Sequence, residues 1–301
     1  MTIRLRRSEL STPGTSEKMM TKAAGSAADL VFLDLEDSVA PQEKERARKL
    51  VVEALNGLDW GKKTVAVRVN DAETPWAFED VIEVVEGAGE RIQLLILPKV
   101  KGPRDIWFFE TLLDQLEKKL RLPHRIGLEA LVEEVEALSC VEELARSSPR
   151  LEALILGVGD LSASQGMKLG GIGLSDERYP GDIWHFARAR MVVAARAAGI
   201  DAIDGPYANF QNPEGFLREA GRAASLGFVG KWAIHPSQID LANQAFAPTE
   251  EEIARAREMI AEVRRAEEEG QGAAGSGGVM IDAATARIYQ VIVDRADLME
   301  K

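Results

Sequence analysis

One cysteine, Cys140, stands in 301 residues, so no disulfide can close within the chain. The expected setting is a reducing compartment, the cytoplasm. Histidine is nearly as scarce, with three in all. His124 and His185 have no cluster around them, so no zinc site of His/Cys type is supported. No Gly-x-Ser-x-Gly elbow occurs and Cys140 has no recognisable base nearby, which argues against covalent nucleophilic catalysis. No apolar run is long enough to span a membrane, and the stretch from Met1 to Ser8 lacks a signal-peptide core. Positive charge is in short supply: 37 Lys and Arg face 49 Asp and Glu, for a net charge of −12. That balance argues against nonspecific nucleic-acid binding and still permits a local basic patch for phosphates.

The chain is rich in short apolar runs. Hydrophobic residues make up 46% of it, enough for a substantial core. Strand patterns fall at 7–12, 29–35, 64–70, 93–99, 126–132, 153–159, 201–206 and 229–235. Amphipathic helical patterns lie between them, including 42–56, 75–86, 105–120, 183–198 and 213–226. Thr74-Pro75 and Asn212-Pro213 read as helix starts, and Gly57, Gly199 and Gly227 as stops. Strict alternation predicts a parallel sheet, and eight repeats predict a (β/α)₈ TIM barrel of class α/β. An open doubly wound sheet is the rival. The barrel is expected over 1–247 and a helical extension over 248–301. In that extension Gly270–Gly278 reads as a flexible linker and Met280–Met299 as a final helix. Such a tethered segment is a lid, an arm to a neighbouring subunit, or a terminal helix loosely packed.

Acids mark the C-terminal ends of several strands. Glu133 closes Ile126–Glu133, and Asp160 closes Leu154–Asp160. Two such carboxylates on one barrel rim make a hard-oxygen site suited to Mg²⁺. Glu129 faces the same side as Glu133 by its even spacing, and lies deeper. Glu134 and Glu136 read as solvated. Leu33-Asp34-Leu35-Glu36-Asp37 supplies three more acids, as metal ligands, as supports of metal-bound water, or as a helix cap. Arg68, in an otherwise buried strand, needs an anion: a substrate carboxylate or enolate, or a structural partner in Glu36 or Asp37. Lys99 ends the fourth strand and is either structural or part of the site. Gly157-Val-Gly-Asp160 lacks the third glycine of a dinucleotide fingerprint and the helix pattern that should follow it; the glycines instead let a ligand approach the backbone beside Asp160, Gly159 among them. His235, near the end of the last strand, is a substrate contact, an acid/base, or a satisfied structural group.

These residues, with Pro13-Gly14, Ala28–Ala40, Val67–Asn70, Leu97–Val100, Leu131–Glu133, Gly157–Asp160, Ile203–Pro206, Gly227–Pro236 and Met280–Asp282, run in the order found in one family. The chain resembles the malyl-CoA lyase/citrate lyase β-subunit family of Mg²⁺-dependent (β/α)₈ lyases. The resemblance implies reversible cleavage of a 3-hydroxyacyl-CoA such as L-malyl-CoA to acetyl-CoA and glyoxylate. Citramalyl-CoA or citryl-thioester cleavage, a thioester-hydrolysing synthase, and a noncatalytic barrel subunit are its alternatives. It implies Mg²⁺, with Mn²⁺ as a substitute, on Glu133 and Asp160, and Arg68, Glu133 and Asp282 as catalytic residues. Lys22 is implied near the CoA phosphates, Ile234 and His235 along the CoA channel, and Asp282 in a tail reaching a neighbouring subunit of a homotrimer or homohexamer. The expected partners are acyl-CoA and oxo-acid substrates, with neither nucleic acid nor membrane. Ser11 and Ser16 replace an aromatic and an arginine of close malyl-CoA lyases, and the stretch Gly170–Asp182 is shorter than theirs.

Overall fold

The structure, a computed structural model, describes residues 4–169, 179–270, 273–276 and 279–300. Most of the segment 170–182, expected to be short, lies outside these residues. Eight parallel strands close into a barrel in sequence order: β1 (Ser8–Pro13), β2 (Leu30–Asp34), β3 (Thr64–Arg68), β4 (Leu94–Leu97), β5 (Gly127–Val132), β6 (Leu151–Leu156), β7 (Asp201–Asp204) and β8 (Gly230–Ala233). The seam joins β8 to β1 through Glu9↔Trp232 and Leu10↔Ala233. Helices follow the strands: α1 (Glu17–Ala24), α2 (Lys44–Gly57), α3 (Ala77–Ala88), α4 (Pro103–Leu120), the short α5 (Val135–Ser139), α6 (Val141–Leu144) and α7 (Val158–Ser164), then α8 (His185–Ala198), α9 (Pro213–Leu226) and α10 (Ile239–Phe246).

Alternation along the strands divides the core in two. Leu30, Phe32, Ala66, Leu94, Ile96, Leu131, Ile155 and Trp232 pack inside the barrel. Val31, Leu33, Val65, Val67 and Leu95 face outward against the helices. Asp34, Arg68 and Glu133 continue the inward-facing sets, so each reaches the C-terminal rim where a ligand approaches a barrel.

Several local expectations change. Asp160 leaves the strand expected over 153–159 and lies in the first turn of α7, because β6 ends at Leu156 and the backbone turns at Gly157; a short helix thus follows these glycines where none was expected. Thr74-Pro75 belongs to a turn, with Thr74 Oγ1 donating to Asp71 O, and α3 starts two residues beyond it. Asn212 does cap α9, accepting from Gly215 N–H at 2.9 Å, and Gly199 and Gly227 end their helices in the left-handed region.

A second compact unit spans Ala247–Lys301. Thr249 and Glu252 form a reciprocal capping box at the start of α11 (Glu250–Glu268). The stretch read as a linker instead contains β9 (Ala273–Ser276), antiparallel to β10 (Val279–Asp282), and α12 (Ala283–Met299) follows. Gly and Ala carry no alternating pattern, so only backbone pairing reveals this strand. Among the described residues no helix is long and apolar enough to cross a membrane.

Candidate active site

Parallel pairing of β2 with β3 sets Asp34 directly opposite Arg68. The two form a fork, Arg68 Nε to Asp34 Oδ1 at 2.7 Å and Nη2 to Oδ2 at 2.7 Å. Asp34 also accepts from the backbone N–H of Glu36 and Ser38. Burial opposes ionisation of Asp34, but the Arg68 charge and these hydrogen bonds hold its carboxyl below the ordinary value. Arg68 is disfavoured by burial and overcompensated by Asp34, so it stays charged. Its guanidinium packs 5.5 Å from the Trp232 ring centroid and 6.0 Å from that of Phe32. The structural partner expected in Glu36 or Asp37 is therefore chiefly Asp34, which inter-strand register selects. Glu36 comes second, with Oε2 3.1 Å from Arg68 Nη1 in no hydrogen-bonding geometry. Asp37 pairs with Lys99 instead, at 3.2 Å. No helix begins at these acids, since the next helical turn starts at Pro41.

Glu133 is 2% exposed and accepts from the Lys99 backbone N–H at 2.7 Å through Oε1. Its other oxygen lies against Gly157, where a Cβ would stand 2.4 Å from Oε2. Only glycine leaves room there. Asp160, half-buried one turn along α7, is close enough for its charge to act on Glu133. Burial first, and then Asp160, push the Glu133 carboxyl up to about 8, although the Lys99 N–H pulls the other way. Two carboxylates that repel in a buried rim are relieved by a proton on one of them or by a cation between them. Mg²⁺ takes one or two protein carboxylates and fills its shell with water and substrate oxygens, so this donor set fits it. Among the described residues no cluster of three or more His, Cys, Asp or Glu side chains is arranged around a metal. Gly159 lies beside Asp160 in the same turn.

Behind the rim stands a network that the sequence did not announce. Lys44 Nζ donates to Leu35 O and Glu36 O, each at 2.8 Å, and to Asn70 Oδ1 at 2.6 Å. Asn70 in turn donates to Asp80, which also takes Arg48. The carbonyls of Leu35 and Glu36 in the acidic turn are thereby held. The signal in the sequence was a lysine inside an amphipathic helix, at a position that helical periodicity turns toward the core.

At the C-terminal ends of β1 and β8 a cavity of about 570 Å³ is lined by Ser11, Met19, Lys22, Ile234, His235 and Pro236 among others. Lys22, Ile234 and His235 are thus brought together, with Ser11. Ser16 caps α1, accepting from Met19 N–H at 3.3 Å. The His235 ring stacks on Phe210 at 4.7 Å and its Nδ1 is 2.8 Å from Ser237 Oγ. Asp282 belongs to the second unit, where it caps α12 by accepting from Thr285 N–H at 2.9 Å; that bond lowers its pKa. Glu129 is the deeper carboxylate expected, paired with the buried Arg6 at 2.8 Å. Glu134 is less solvated than expected, accepting from Ser164 Oγ.

The family model described as HpcH/HpaI aldolase/citrate lyase matches residues 7–236. An L-malyl-CoA/beta-methylmalyl-CoA lyase of Cereibacter sphaeroides (strain ATCC 17029 / ATH 2.4.9) is 41% identical, covering 97% of this chain and 95% of that protein. The citrate lyase subunit beta of Escherichia coli (strain K12) is 35% identical over 98% of this chain and 94% of its own length. Among solved structures, the protein CitE from Mycobacterium tuberculosis in complex with magnesium, acetoacetate and coenzyme A is 28% identical. It superimposes with a TM-score of 0.77 over 96% of this chain and 97% of that one.

Proposed function

Since the chain belongs to the HpcH/HpaI aldolase/citrate lyase family, we propose that it is a Mg²⁺-dependent carbon–carbon lyase that cleaves L-malyl-CoA reversibly to acetyl-CoA and glyoxylate. The observation that carries this reading is the convergence of Arg68, Glu133 and Asp160 on the barrel rim that also holds the Lys22–His235 cavity.

Glu133 and Asp160 would hold a divalent cation, which would supply Lewis-acid polarisation to the bound substrate. The rest falls to the chain. Asp34 occupies Nε and one hydrogen of Nη2 on Arg68, leaving Nη1 and the second Nη2 hydrogen for the thioester oxygen. As the carbon–carbon bond breaks, its electron pair becomes the acetyl-CoA enolate, and negative charge grows on that oxygen. A guanidinium fixed in advance by Asp34 stabilises this charge without reorganising. The substrate hydroxyl passes its proton to solvent as it becomes the aldehyde carbonyl of glyoxylate, and Asp282 takes up from solvent the proton that it delivers. Asp282, delivered by the tail of a neighbouring subunit, protonates the enolate carbon and in reverse takes a proton from the acetyl methyl. Lys22, Ile234 and His235 hold the CoA moiety, and the assembly is a homotrimer or homohexamer.

The test incubates purified protein with acetyl-CoA and glyoxylate, in Mg²⁺ or in EDTA, with mass detection of products. Mg²⁺-dependent malyl-CoA without free CoA supports the reading. Free CoA with malate would make the protein a thioester-hydrolysing synthase. Product from pyruvate or propionyl-CoA alone would change the acyl group and keep the lyase chemistry. Asp282→Asn is expected to lose most turnover while binding Mg²⁺ as before; unchanged turnover removes Asp282 from the mechanism.

A further inference from the structure

Lys99 has a backbone that its residue type does not favour. Its φ is 49°, and the other positive-φ non-glycine among the described residues, Arg121, is the ordinary left-handed cap of α4. Lys99 follows β4 at the rim, where no helix ends and no hairpin turns. Left-handed backbone at a non-glycine residue is retained where its surroundings demand it. Here the demand is visible. The turn aims the Lys99 N–H at Glu133 Oε1, 2.7 Å away. The side chain runs in another direction, its ammonium bound to Glu36 Oε1 and 3.2 Å from Asp37. Lys99, two residues past β4, therefore ties the rim acids that follow β2 to the carboxylate that follows β5.

Each attachment leaves a consequence. With Oε1 of Glu133 engaged, Oε2 is the oxygen turned toward Gly157 and the α7 turn that carries Asp160. With Oε1 of Glu36 engaged by the ammonium, Oε2 stays 3.1 Å from Arg68 Nη1 without a hydrogen bond. Arg68 Nη1 is thus ion-paired with Glu36 while its hydrogens stay unbonded by that carboxylate.

We propose that Lys99 is a positioning residue with two separable roles: its backbone N–H selects which oxygen of Glu133 faces the cation, and its ammonium turns Glu36 so that its ion pair with Arg68 Nη1 forms no hydrogen bond and leaves the Nη1 hydrogens to the substrate. The proposal rests on the Mg²⁺ reading given above and adds to it a residue that touches neither metal nor bond-breaking atoms.

Two substitutions separate the roles. Lys99→Gly accepts φ 49° freely and keeps the N–H, but lacks the ammonium. Lys99→Val is β-branched, resists the left-handed region and loses both. Calorimetric titration of each full-length variant with MgCl₂ alone should leave the glycine variant within about threefold of wild type and weaken the valine variant by ~10-fold or more. Lys99→Ala strains the turn less and carries the same comparison, with an intermediate affinity, should the valine variant melt early. In turnover the glycine variant should show a raised KM for the CoA thioester, whose oxygen Arg68 Nη1 serves, and Lys99→Arg, which restores a cation, should bring it back toward wild type. Equal Mg²⁺ affinity in the glycine, alanine and valine variants overturns the backbone role. An unmoved KM in the glycine variant overturns the ammonium role. A wild-type chain that binds no Mg²⁺ overturns the metal reading and this inference together, whereas wild-type binding with indifferent variants overturns the inference alone.

Discussion

A carboxylate and a guanidinium that are both buried depend on each other more than on the rest of the fold. Asp34 is wholly buried and Arg68 is 8% exposed, so removing one charge strands the other. Asp34→Asn is expected to cost about 3 kcal/mol of stability in urea denaturation, the typical cost of breaking such a pair. It should also lower turnover, because Arg68 loses its fixed orientation. Arg68→Lys keeps the charge and loses the planar fork, so kcat/KM should fall ~100-fold or more, as on removing one donor to a developing oxyanion. Near-native kcat/KM in that variant would show that point charge, not geometry, is what the site needs. The importance of Arg68 was legible from one charged residue inside a β-branched run. Its partner was not, because Asp34, Glu36 and Asp37 all stand at the end of one strand and only the β2–β3 register distinguishes them.

Elements show the same division through their glycines. Gly230 stands where β8 meets β1, and a Cβ there would come within 1.7 Å of Arg6 O. Gly221 lies inside α9 with nothing within 4 Å of the corresponding point. Gly230→Ala should therefore pry the closing seam apart and cost about 3 kcal/mol, at the upper end for overpacking. Gly221→Ala should instead stabilise by about 0.8 kcal/mol through helix propensity. Thermal melts of the two variants are expected to shift in opposite directions, and a shared sign would mean that the seam can relax. From sequence both positions are just glycines in periodic segments. Helix starts were readable where a side chain does the capping, as at Asn212 and Thr249. They were misread at Thr74-Pro75, where the hydroxyl closes a turn instead. The hairpin of β9 and β10 carried no side-chain pattern to read.

At the scale of the whole barrel, buried charge at both ends of the strands governs the response to pH. Arg6 collects Glu129, Glu152 and Asp201 near the N-terminal ends of the strands, and Glu9 accepts from Trp232 Nε1 at 2.9 Å. Burial foremost, together with Glu129, raises the Glu9 pKa well above its ordinary 4.5. Asp204, also buried, is instead held below its ordinary 3.8, burial being outweighed by Lys231 and Arg188. The two act with opposite sign. Asp34 and Asp204 give stability that is present above their unfolded pKa and lost as pH falls through their folded values. Glu9 takes up a proton on folding, so its stabilisation fades as pH rises from about 4.5 toward its raised value. Glu9→Gln mimics the protonated acid and should flatten the decline of Tm toward alkaline pH while leaving the acid limb unchanged. Scanning calorimetry across pH reads this directly; an unaltered alkaline limb would mean that Glu9 is ionised in the fold.

The sequence by itself determined the repeated strand–helix order, the inward-facing positions and the residue types at the rim. All of these are local: period two places Leu30, Phe32 and Asp34 on one face, and an acid at a strand's end is an acid in any register. Only the tertiary structure decided which acid holds Arg68, that Asp160 rides on a helical turn, and that Lys99 takes a left-handed backbone to reach Glu133. Those choices depend on inter-strand register, barrel closure and the space beside Gly157. Each is set by residues distant in sequence, so no local pattern contains it.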